Sequence, residues 1–125
     1  MNRKDKVWKY YFGDCTKAVD AFGVEIFKDR YVDENINASK MKGYWTIDHI
    51  FPLNPSDDNV INRKGSNSIY NLQPLSFTSN QKKGSRLNGK VGNVTYAVKI
   101  IEQINNSVVG KMMIKVDDIW YWAYE

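Results

Sequence analysis

The stretch "WTIDHIFPL", residues 45–53, carries the chain's only histidine, His49, directly after Asp48. Its β-branched and aromatic content reads as a strand, and Pro52 stops it. A single histidine in a strand is most often a packed, hydrogen-bonded residue. The aspartate beside it raises a chemical question. Neighbours on a regular strand point to opposite faces, so both can serve one site only if the backbone bends or the site wraps around the strand's end.

Working outward, "DAFGVEIFKDRY" (20–31) reads as a turn at Phe22 and Gly23, then a short strand in which Val24, Ile26 and Lys28 alternate with Glu25 and Phe27. Residues 7–12 read as a short helix and residues 32–43 as a polar loop. Downstream, 54–67 is dense in Asn, Asp, Ser, Gly and Pro, which predicts a long loop. Loops of that length are usually functional or mobile. "SIYNLQPLS" (68–76) is an apolar–polar alternation broken by Pro74. Ser76 then suits a helix N-cap for "FTSNQKK", and Gly84 suits the residue that ends that helix. Residues 85–93 read as another polar, Gly-rich stretch. The tail supports two readings: Val94, Ala97, Val98, Ile101 and Ile104 fit helical spacing, while "KMMIKVDDIWYW" (111–122) looks like a strand.

At 125 residues the default is one domain with a modest core, which 42% hydrophobic content can fill. A formal charge of +4 tilts towards an anionic partner. The one cysteine, Cys15, excludes an internal disulfide and a Cys-rich zinc site; it reads as a small buried residue in a reducing compartment. The charged start offers no signal peptide, and no stretch is long enough to span a membrane. The expectation is a soluble, cytoplasmic protein.

The residue types around His49 suit phosphodiester hydrolysis. A neutral imidazole takes a proton near pH 7. A carboxylate and an amide oxygen are hard ligands for Mg²⁺. Lys and Arg supply phosphate contacts.

The order of these residues, "DHIFPL…GSNSIYNLQPLSFTSNQKKG", resembles the HNH endonuclease motif. The likeness covers about residues 45–84, and "DAFGVEIFKDRY…GYWTIDH" resembles the lead-in of many HNH proteins. The resemblance implies an α+β fold with a ββα-metal (His-Me finger) core, a lead-in over 1–44 and an extension over 85–125, all in a single domain. It implies a small stand-alone endonuclease of phage or mobile-element type, cutting DNA to leave a 5′-phosphate and a 3′-hydroxyl. His49 would be the general base. Asp48 and Asn80 would hold one Mg²⁺ or Mn²⁺, with Asn80 standing where many members carry histidine. Asn71 would complete the site by holding the loop onto the hairpin and keeping His49 aimed.

Beside that motif, the basic cluster Lys82, Lys83, Arg86 and Lys90 reads as phosphate-contacting, with Arg63 and Lys64 as further candidates. Tyr44, Trp45, Ile47 and Ile50 read as core. Leu72 and Phe77 read as packing the helix on the hairpin. Trp120, Tyr121, Trp122 and Tyr124 read as anchoring the tail rather than stacking on bases. The rival reading is a non-cleaving module that binds nucleic acid or a protein partner on an HNH-like fold. A protein partner or a homodimer stays open.

Overall fold

The computed structural model describes residues 1–33, 42–56 and 63–125. Among them are two α-helices and nine strands, an α+β arrangement dominated by strands.

Helix α1 (Arg3–Phe12) begins at Asn2, whose side chain accepts from the Asp5 N–H, and ends at Gly13 with φ 61°. It buries Val7 and Trp8. Strands β1 (Lys17–Val19) and β2 (Glu25–Phe27) form a two-stranded ribbon. The turn between them is built by Asp20, whose Oδ1 accepts from the N–H groups of Phe22 and Val24, both at 2.9 Å. Gly23, at φ 87°, supplies the left-handed residue.

The centre of the molecule is an antiparallel ribbon of β3 (Trp45–His49) and β5 (Leu72–Ser76), followed at once by α2 (Phe77–Lys83). One face of β3 packs Trp45 against Trp8 and Ile26, with Ile47 alongside. The other face turns towards a second cluster that includes Leu75, Tyr96 and Met112. Fully burying side chains of this size stabilises by roughly 1.5–3 kcal/mol each, so two apolar layers clamp the ribbon. Ser76 caps α2 by accepting from Ser79 N–H at 3.0 Å, and Gly84 ends it at φ 59°. The Asp20 Oδ2 accepts from the Ser76 N–H at 2.9 Å and so fastens the lead-in to the start of α2.

The remaining strands form one sheet. Its order is β4 (Lys64–Gly65), β8 (Ser107–Val116), β7 (Val94–Ile104) and β6 (Asn88–Val91), and β9 (Ile119–Trp122) also pairs with β8. Pairing of β4 with β8 is parallel and the other pairings are antiparallel.

Several elements differ from the sequence reading. β3 ends at His49, three residues before Pro52. β5 runs straight through Pro74, because each strand of a two-stranded ribbon has an unpaired edge where a missing N–H costs nothing. The helical spacing in 94–104 is overridden: pairing along β8 makes it a strand with a bulge between Ile100 and Glu102. β6 lies in the stretch read as polar loop, and β4 lies in the long loop, too short to show a period. The expected loops over 32–43 and 54–67 fall partly outside the described residues. Cys15 is exposed, not buried. The tail aromatics divide: Tyr124 anchors, with its hydroxyl donating to Pro74 O and accepting from Ala21 N–H, while Trp120 and Tyr121 stay exposed.

Candidate functional site

β3 sends its successive side chains to different environments. Asp48 is 5% exposed and sits opposite Gln73, while His49 sits half-buried opposite Leu72. Both nonetheless line one open cleft of about 240 Å³, together with Ile47, Pro52, Leu53, Asn54, Asn80, Gly84 and Ser85. The cleft lies where β3 ends and α2 finishes, so it receives side chains from both faces of the strand.

His49 is oriented by Asn67, whose Oδ1 lies 2.8 Å from Nε2. An Nε2–H donating to that amide oxygen, which can only accept, would leave the Nδ1 lone pair free on a neutral ring. Asn67 was one of many asparagines in a polar loop, and nothing in the sequence distinguished it.

Asp48 is held from two sides. Its Oδ2 accepts from Gln73 Nε2 at 2.8 Å and lies 3.2 Å from the Lys83 ammonium; its Oδ1 lies 3.3 Å from the same ammonium. Burial pushes this carboxyl above its ordinary 3.8, while Lys83 and the Gln73 amide pull it part of the way back. Lys83 also donates to the carbonyls of His49 and Ile50, at 3.3 and 3.2 Å. Its side chain is 0% exposed, which corrects its assignment as a phosphate contact. A lysine in a basic run reads as solvated; only the placement of α2 over the end of β3 shows that this one points inward.

Asn71 is fully buried and its amide is saturated. Oδ1 accepts from Phe51 N–H at 2.9 Å and Gly110 N–H at 2.8 Å; Nδ2 donates to Phe51 O at 3.0 Å and Ser66 O at 2.9 Å. One side chain thus ties the segment after β3, the segment after β4 and strand β8 together. Close approach here demands glycine at 65, since a Cβ there would meet Phe51 O at 1.8 Å.

Asn80 lines the cleft from α2 and is partly exposed. Lys82, Arg86 and Lys90 are exposed, and Arg86 folds back so that its guanidinium donates to the carbonyls of Lys82 and Lys83. Lys64 is exposed in β4, while Arg63 lies over the Phe51 ring, 5.8 Å from its centroid.

The donor set can be tested for a hard cation. Among the described residues no three His, Cys, Asp or Glu side chains cluster. One carboxylate and one amide oxygen, Asp48 and Asn80, line the same cleft. An ionised carboxylate has about four acceptor positions, and the three contacts to Asp48 leave room for a further partner. Two oxygen ligands with the rest from water and phosphate fit Mg²⁺, which usually keeps several waters.

No family model, curated protein or solved structure matches this chain. No helix among the described residues is long and apolar enough to cross a membrane.

Proposed function

We propose that the chain is a metal-dependent endonuclease of HNH type, with β3, β5 and α2 as its ββα-metal core, cutting DNA phosphodiester bonds. The observation that carries this reading is the meeting of His49, Asp48 and Asn80, contributed by a strand end and a helix, in one solvent-open cleft.

His49 acts as general base. With Nε2–H donating to Asn67, Nδ1 takes the proton from the attacking water. Asp48 and Asn80 would hold Mg²⁺ or Mn²⁺, which supplies counter-charge for the phosphate and the leaving oxygen. Lys83 holds the Asp48 carboxylate and the His49 and Ile50 carbonyls in place, so the end of β3 cannot drift relative to α2. Lys82 and Arg86, both exposed, supply phosphate contacts near the end of α2, whereas Lys90 stands on β6, away from the cleft. A phage or mobile-element setting and a cytoplasmic location belong to the same proposal.

The test is plasmid nicking. Wild type should nick with Mg²⁺ or Mn²⁺, stop with EDTA, and recover on metal addition. His49→Ala should lose about 10²–10⁴-fold in rate with unchanged melting, the usual contribution of a general base. Activity that survives both EDTA and His49→Ala sinks the proposal. The second reading, a module that binds without cutting, is favoured by one observation: Lys83 and Gln73 already occupy both oxygens of Asp48. DNA binding by a wild type that never nicks would select it.

A further inference from the structure

The pairing registers of β6 to β9 decide which side chains share a face. Trp120 lies opposite Lys115, Lys115 opposite Thr95, and Thr95 opposite Lys90. In the next row Trp122 lies opposite Met113, and beyond that Lys111 lies opposite Lys99. Directly opposed residues point to the same side of a sheet. One face therefore carries Lys90, Lys99, Lys111 and Lys115 interleaved with Trp120 and Trp122. The other face carries Tyr96, Met112 and Ile114, which pack into the core.

This outer face is not a simple solvated lysine surface. The Lys111 ammonium lies 4.7 Å from the Trp122 ring centroid, and the Lys115 ammonium 5.9 Å from that of Trp120. Trp120 remains 41% exposed, on a strand with no core beneath it on that side. Three carboxylates belong to the face against four lysines: Glu125 pairs with Lys111, Asp118 pairs with Lys115, and Glu102 stands opposite Val109, two positions along β8 from Lys111. Among the described residues Lys90 and Lys99 form no ion pair. The surplus is positive, and the indoles stand between the charges.

We infer that this face binds single-stranded DNA, the lysines meeting phosphates and the indoles, with Trp120 foremost, stacking on unpaired bases. Stacking on an aromatic ring tolerates any base, and it needs bases that are not already stacked in a duplex. The face lies across the sheet from the His49 cleft, so a strand held there leaves the cleft open. The inference does not depend on cleavage.

The experiment uses the full chain in EDTA with a 15-nucleotide oligothymidine as the probe. Of the four tryptophans, Trp8 and Trp45 are buried at 0% and 1% exposure, so quenching of indole emission reports the face. Wild type should show saturable quenching that weakens with salt. Trp120→Ala should bind about tenfold more weakly, the scale of one lost stacked base, while Trp120→Phe keeps most of the affinity. Lys115→Ala should lower the slope of log affinity against log salt by about one unit. A 15-base-pair duplex should be indifferent to Trp120→Ala. Equal oligothymidine affinity for wild type and Trp120→Ala overturns the inference, as does quenching by anionic vesicles with none by the oligonucleotide. His49→Ala should bind like wild type, so an inactive nuclease and a vacant platform give different results.

Discussion

The ribbon of β3 and β5 and the outer face of the large sheet both depart from the ordinary rule of burial, in opposite directions. Around the ribbon, charged and polar groups are inside: Asp48, Gln73, Asn71 and Lys83 are all 5% exposed or less. On the outer face, indoles are outside, and lysines stand among them. Buried polar groups are expensive unless each finds a partner, and here each does. Exposed aromatics carry no such penalty. The first region spends stability on fixed geometry, whereas the second holds apolar area in reserve for a partner.

That contrast can be broken most sharply at neighbouring lysines. Lys83→Met should destabilise by about 3–5 kcal/mol, because it strands a buried carboxylate. Lys82→Ala, one residue away and exposed, should stay within about 0.5 kcal/mol, and so should Trp120→Ala on the outer face. Urea unfolding of the three variants measures this. A Lys83→Met variant as stable as wild type would show that the Asp48–Lys83 pair is dispensable.

A finer test uses pH. Burial raises the Asp48 carboxyl above 3.8, so the folded chain holds that proton more tightly than the unfolded chain does. The group's contribution is most favourable below about pH 4, and it declines as pH climbs from there through the folded value. Relative to Asp48→Asn, wild type should therefore lose stability across that rise. A gap between the two that is constant with pH would mean Asp48 titrates alike folded and unfolded.

The local chemistry of capping and turns was readable directly. Ser76, Gly84 and Gly23 do what their side chains, or lack of them, dictate. What stayed hidden was long-range pairing. Residues 94–104 satisfy a helical period by themselves and become a strand only because β8 lies alongside. The ambiguity of placing Asp48 and His49 in one site has a physical answer too: the cleft opens at the end of the strand, where two faces meet. Asn67 and Gln73 were illegible because their roles exist only once the loop and the ribbon close on β3.

The bond from Gly110 N–H to the Asn71 amide oxygen joins groups 39 residues apart, and it sits in the knot that shapes the segment after His49. Residues 45–84 are therefore not portable. A nascent chain that already carries every motif residue still lacks the Gly110 N–H that Asn71 accepts, so the proposed activity should arise only once β8 has emerged. A fragment ending at residue 105, assayed for plasmid nicking beside the full chain, should be inert; a fully active fragment would make the C-terminal sheet a passenger.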